Sequence, residues 1–299
     1  MAESISIDAV SETLFLPLYA LALESRRPDP IMIDEGAVEL THRLNDLFAD
    51  SDKRIYRRLA KGKLPSTLVT TVSMRIRRFD RYVREFLERE PDGVVVNLGC
   101  GLDDRRRRID NGLVRWYDLD LPEVIKLRRR FLPETERMRF IASSVLDLTW
   151  LDQLPDEAGA KYLFLAEGLF MYLPPDGVRT LVTTLAKRCP GAELVAEVAN
   201  SRIVRTMQGR FGRGKFRREF GLSGDVVYQF GLANSREIEE WAPGLTFLDD
   251  WTYYDDGDPK LGMARWFAGW SLVRWAQWTV HYRLGTGARD GPGTSRPGG

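Results

Sequence analysis

The sequence predicts an α/β protein built on a doubly wound, mostly parallel seven-stranded sheet, with a helical cap ahead of it. Three observations carry that expectation. Short apolar runs recur at Val94–Leu98, Val114–Tyr117, Met138–Ala142, Tyr162–Ala166 and Glu193–Val198, with the length and composition of buried parallel strands. Helical stretches, including Pro122–Arg130 and Gly177–Arg188, separate them, and such alternation folds as a parallel sheet with right-handed crossovers. The first run also passes directly into Gly99-Cys100-Gly101, a tight turn that lets a ligand approach the backbone.

The elements follow in order. Residues Ile7–Leu47 read as two helices around a turn: Leu14, Leu18, Leu21 and Leu23 recur at near-helical spacing until Arg26-Arg27-Pro28-Asp29-Pro30 interrupts them. Ser66–Glu88 reads as a further helix, with Ile76, Phe79, Tyr82, Val83 and Phe86 on one side and arginines on the other, ended by Pro91-Asp92-Gly93. These segments define a cap over residues 1–90, and the core takes residues 91–284. After the fifth strand, Gly209–Gly224 is rich in glycine and basic residues and poor in aliphatics; within an insertion spanning 209–230 it reads as a mobile cover or as a plain surface loop. Trp241–Tyr282 is rich in aromatics, and alternation in Gln277–Tyr282 predicts a closing strand. The Gly/Pro/Ser/Thr-rich tail, 285–299, is expected to be disordered.

Composition narrows the function classes. Of 299 residues, 43% are hydrophobic and 29% charged, enough for a sizeable core, and the formal net charge of +1 gives no bulk attraction to nucleic acid or an anionic membrane. The basic runs Arg105–Arg108 and Arg128–Arg130 lie among acids and read as solvated helix faces and loops. The two cysteines, Cys100 and Cys189, have no ligand spacing, which argues against disulfides and against a metal site. The N-terminus shows no signal-peptide pattern, and no apolar stretch reaches the roughly 18 residues of a membrane span. A cytoplasmic, soluble protein is expected.

The glycine turn is ambiguous by itself, because dinucleotide-binding sheets use a similar one. Here the position three residues after the second glycine is Asp104, not glycine, and Asp103 and Asp104 would repel a pyrophosphate. S-adenosylmethionine has no phosphate and carries a sulfonium cation, so the spacing favours it over a nicotinamide cofactor. About 20 residues on, Asp118 and Asp120 fall where a carboxylate accepts hydrogen bonds from ribose hydroxyls. After the third strand, Asp147 suits an adenine amino group and Leu148 an apolar contact with the ring. The fourth strand ends in Glu167-Gly168-Leu169-Phe170-Met171-Tyr172-Leu173 beside the crevice. Any one of these acids reads as easily as a helix cap, but three after three successive strands do not.

These segments, with Arg75…Phe79-Asp80…Phe86-Leu87, Asn97-Leu98-Gly99-Cys100-Gly101-Leu102-Asp103 and Asp118-Leu119-Asp120-Leu121-Pro122, resemble the leucine carboxyl methyltransferase family, in its bacterial polyketide (tetracenomycin-type) branch. The early Leu16-Pro17-Leu18-Tyr19…Glu24-Ser25-Arg26-Arg27-Pro28-Asp29 belongs to the same resemblance, which spans roughly Val10 to Ala199. It implies a Rossmann-like class I methyltransferase fold. It also implies that Arg75 binds the donor's carboxylate, Gly99 (with Gly101 in the same turn) its amino-acid portion, Asp120 its ribose, Asp147 and Leu148 its adenine, and Glu167 its amino group or methionine portion. The family often has threonine where this chain has Asp104.

A base is hard to find. His42 and His281 belong to no recognisable catalytic pairing. A carboxylic acid, with a pKa of about 4, is already a nucleophile at neutral pH, so the shortage fits methylation of a carboxylate on a small, polyketide-like acceptor. Arg202 and Arg205, just after the fifth strand, are candidates to pair with that carboxylate. For a hydroxyl acceptor, Glu167 and Tyr172 are the candidate bases. A peptide C-terminal carboxylate and a non-catalytic binding module are the remaining alternatives, and oligomeric state is left open.

Overall fold

In the computed structural model, residues 12–48, 53–155, 159–208 and 228–285 are described. The expected insertion at Gly209–Gly224 and all but the first residue of the expected tail lie outside them.

Seven strands form one sheet: β1 (Val94–Leu98), β2 (Arg115–Asp120), β3 (Met138–Ala142), β4 (Tyr162–Ala166), β5 (Glu193–Ala199), β6 (Thr246–Trp251) and β7 (Gln277–Arg283). Their order is β3-β2-β1-β4-β5-β7-β6. β1 to β5 run parallel, while β7 runs antiparallel to both β5 and β6. The chain winds outward from β1 to β3 on one side and continues at β4 on the other. The crevice between β1 and β4 is therefore the switch point, where sheets of this kind bind ligands.

The strands form where expected because Val94, Val95, Val96, Leu163, Phe164, Leu165, Leu194 and Val195 leave no solvent-facing side: each is fully buried. Full burial of each such side chain stabilises the fold by roughly 1.5–3 kcal/mol. On one face Phe79, Tyr82, Val83, Phe86 and Leu87 of α4 (Ser66–Arg89) pack on Val95, Trp116, Leu163 and Val195. On the other, Val178, Leu181, Val182 and Leu185 of α7 (Pro175–Arg188) join Phe164, Leu194 and Val280.

Ahead of the sheet, α1 (Phe15–Glu24), α2 (Glu35–Phe48) and α3 (Arg54–Ala60) pack around Phe15, Leu21, Leu44, Phe48 and Tyr56. That cluster also takes in Val69, Val72 and Ile76 of α4, so the first half of α4 serves the cap while its second half covers the sheet. The sequence reading contained no helix at Arg54–Ala60. It also ended the second strand at Tyr117, whereas β2 continues to Asp120. The expected solvated face at Arg105–Arg108 is α5 (Arg105–Ile109), with Arg105 fully buried, and Arg128, at the end of α6 (Pro122–Arg128), is buried as well. The aromatic segment divides in two: Trp251 and Trp278 are buried, but Trp266 is 80% and Trp270 64% exposed.

Candidate active site

The sheet register sets the site. Asn97 pairs with Asp118, Asn97 also with Leu165, and Ala166 with Ala196, which brings Gly99, Asp120, Glu167 and Glu197 to one edge. A cavity of about 770 Å³ opens there, lined by these four residues together with Arg75, Gly101, Arg105 and Tyr172, and roofed by Leu14, Leu18 and Leu21 of the cap.

Gly99 and Gly101 both have positive φ, 67° and 53°. A Cβ on Gly101 would stand 2.9 Å from Leu14, so the turn and the cap close on each other only because that side chain is absent. The Gly101 amide donates to Asp120 Oδ2 at 2.8 Å and the Leu121 amide to Oδ1 at 2.8 Å. Both bonds aim that carboxylate along the cavity wall; burial nevertheless pushes the Asp120 pKa up.

At the other end Arg75 is forked between two carboxylates. Its Nε donates to Glu167 Oε1 at 2.8 Å and its Nη1 to Glu197 Oε1 at 3.0 Å. Burial alone would lower the Arg75 pKa, but Glu197 and Glu167 hold it well above its ordinary value. Arg105 reaches Glu167 Oε2 through Nη2 and donates from Nε to Asp80 Oδ1 at 2.6 Å. Its Nη1 is buried without a hydrogen-bond partner and lies 3.5 Å from Asp103. Arg108 ties Asp34, Asp80 and Asp103 to the same cluster. Asp103 and Asp104 part company: against burial, Arg105 and Arg108 hold Asp103 below the ordinary carboxylate range, whereas burial pushes Asp104 up to about 6.

Arg75, Gly99, Gly101, Asp120, Glu167 and Tyr172 thus meet in one cavity. Asp118 does not join them. Its oxygens accept from Trp116 Nε1 at 2.8 Å and from Arg128 Nη2 at 2.5 Å in the fully buried interior, so of the two acids only Asp120 lines the cavity. Asp147 and Leu148 also lie outside the lining: Asp147 is exposed and accepts from the Thr149 amide and hydroxyl, the helix-cap alternative, while Leu148 packs on the core. Beyond Asp120 the cavity is walled instead by Leu121, Val124 and Leu132. Arg202 and Arg205 sit exposed on α8 (Ser201–Gln208), and Arg205 faces a separate, smaller cavity with Arg179 and Glu237. Pairing with an acceptor in the main cavity is therefore not their position.

Sequence reasoning missed Glu197, Arg105, Tyr253 and Gln277, all of which line the cavity. The legible signal for Glu197 was a charge inside a strand with no solvent face, since a buried charge requires partners.

The described chemistry fits S-adenosylmethionine. A guanidinium between carboxylates matches a group bearing carboxylate, ammonium and sulfonium, and the Asp120 carboxylate lines the same cavity. Among the described residues no group of three or more His, Cys, Asp or Glu side chains could hold a metal ion, and no helix is long and apolar enough to cross a membrane.

Residues 16–186 match the family described as Leucine carboxyl methyltransferase. The tetracenomycin polyketide synthesis O-methyltransferase TcmP of Streptomyces glaucescens is 34% identical over 277 residues, covering 90% of this chain and 92% of its own. The S-adenosyl-L-methionine-dependent methyltransferase dpfgK of Gibberella zeae is 27% identical over 294 residues, 95% of each chain.

Proposed function

The chain belongs to the leucine carboxyl methyltransferase family and is an S-adenosylmethionine-dependent methyltransferase, and on that premise we propose that its acceptor is a carboxylate on a small, polyketide-like molecule, converted to a methyl ester. One observation carries the choice of acceptor: both candidate bases are unsuited to removing a proton. Each oxygen of Glu167 accepts from an arginine, Arg75 on one side and Arg105 on the other. Burial and then Glu197 push the Tyr172 pKa up, so its hydroxyl stays protonated at neutral pH and acts as a donor. A hydroxyl acceptor would need a base here; a carboxylate needs none.

When bound, the donor supplies an electrophilic methyl on its sulfonium. Arg75 grips the donor's carboxylate, Glu167 faces its ammonium, and Asp120 accepts from its ribose. Gly99 and Gly101 let the backbone come close, and the cap leucines Leu14, Leu18 and Leu21 exclude water from the crevice. What remains is placement: an acceptor oxygen about 3 Å from the methyl carbon, in line with the breaking bond. Tyr172, Tyr228 and Gln277 line the cavity near Glu197 and supply neutral donors to steady it. A cytoplasmic location belongs to the same reading.

The experiment is transfer of labelled methyl from S-adenosylmethionine into aromatic polyketide acids, compared with their decarboxylated phenols. Incorporation only with the acids, released as methanol by mild alkali, supports an ester. Alkali-stable label on the phenols would replace it with an ether.

A further inference from the structure

Glu197 gathers four separate parts of the chain onto one carboxylate that is 1% exposed. Its Oε1 accepts from Arg75 Nη1 at 3.0 Å, from the Tyr253 hydroxyl at 3.1 Å and from Gln277 Nε2, while Oε2 accepts from the Gly168 amide at 2.9 Å. Arg75 comes from α4, Gly168 from the end of β4, Tyr253 from the segment after β6, and Gln277 from the start of β7. A buried carboxylate so fully satisfied has one orientation rather than several.

That orientation matters for Arg75. With Nε on Glu167 and Nη1 on Glu197, the plane of the guanidinium is set by two anchors, and Nη2 is left facing Gly168. A Cβ on Gly168 would lie 3.8 Å from both Arg75 Nη2 and Glu197 Oε2, which places this residue of the cavity lining directly against the Arg75–Glu197 pair. Bidentate recognition of a carboxylate depends on the plane of the fork and not only on its charge. Burial and Glu197 together push the Tyr253 pKa up, which keeps its hydroxyl a donor to Glu197 at every working pH.

We propose that Glu197 is a positioning residue for the donor site: it fixes the plane of Arg75, and Tyr253 and Gln277 hold it in place to do so. The proposal rests on the reading that Arg75 grips the donor's carboxylate. It makes Tyr253 matter to donor binding through Glu197 and Arg75, without contact between the Tyr253 hydroxyl and the donor.

The test is calorimetric titration of the full chain with S-adenosylhomocysteine. Tyr253→Phe keeps the ring and removes only the hydroxyl, and its fold is checked by thermal melting. Tyr253→Phe should lose about tenfold in affinity, the size of one hydrogen bond to a charged group. The same change should have no further effect in an Arg75→Ala background, because the guanidinium that Glu197 positions is gone. Glu197→Gln, uncharged but of the same shape, should lose at least as much as Tyr253→Phe. Wild-type affinity in Tyr253→Phe overturns the proposal. So does a loss that multiplies fully with that of Arg75→Ala, and in that case the donor reading of Arg75 survives. Normal binding by Arg75→Ala itself overturns both.

Discussion

The arginines of α5 and those of α8 look alike in the sequence and meet opposite ends. Arg105 and Arg108 begin a short helix after the glycine turn, three residues apart and so on one face. That face turns inward onto Asp80, Asp103 and Glu167, leaving Arg105 1% exposed, while the intervening Arg107 points out toward Glu39. Arg202 and Arg205 have the same spacing on α8, but no buried carboxylate among the described residues pairs with them, and both are exposed. The i, i+3 spacing of the two arginines is the same in both helices. What separates them is whether other elements bring acids to the face they present.

The largest effect expected from this contrast is on stability. Arg105→Ala removes one of two arginines from each of Asp80 and Glu167, leaving Asp80 to Arg108 and Glu167 to Arg75, and costs up to about the 3–5 kcal/mol of a fully broken buried pair. Urea denaturation reads it directly; a loss below about 1 kcal/mol would return α5 to the class of surface runs.

Next is donor binding. Arg75→Ala should weaken it by on the order of 2 kcal/mol or more, roughly 30-fold. Unchanged affinity by calorimetry would remove Arg75 from the site.

Much of the fold was legible because the parallel strands are continuous apolar runs, and β1, β3 and β4 begin and end as the sequence indicates. The glycine turn and the acids after β2 and β4 were legible because their position at strand ends has a chemical reason. Asp118 shows the limit: it and Asp120 share a side of β2, yet only the last residue clears the sheet edge and enters the cavity. Asp147 likewise has a local partner, Thr149, that sequence spacing does not rank against a distant ligand. Arg105 gave no signal, and Glu197 could be read only as a buried charge in need of partners, not as part of the site. Their partners lie 25, 62 and 122 residues away, and only the register of β4 against β5 and the path of α4 bring them together.

Asp104 sharpens the comparison inside the arginine cluster itself, since it shares the turn with Asp103 but not its compensation. Its folded pKa of about 6 lies above its ordinary 3.8, so the folded protein holds a proton that the unfolded chain releases. The stabilising contribution is complete below pH 3.8, falls as pH rises to about 6 and is gone above that. Asp104→Asn, which cannot ionise, should therefore gain in Tm over the parent as pH rises from about 4 to 7, with no further gain beyond. A gain independent of pH would show that Asp104 titrates in the ordinary range.

The smallest effect belongs to α8. Arg205→Ala should change stability by no more than about 0.5 kcal/mol and leave the KM for acceptor unaltered. A rise in that KM with stability intact would restore the arginine to an acceptor-binding role.

The most direct test of the account is the pH dependence of a single turnover, measured with donor saturating and an aromatic carboxylic acid as acceptor. Because the acceptor is already ionised and neither Glu167 nor Tyr172 is asked to take its proton, the rate should be flat from about pH 6.5 to 9. A rate that climbs tenfold per pH unit across that range would mark proton removal in the methyl-transfer step and contradict the account.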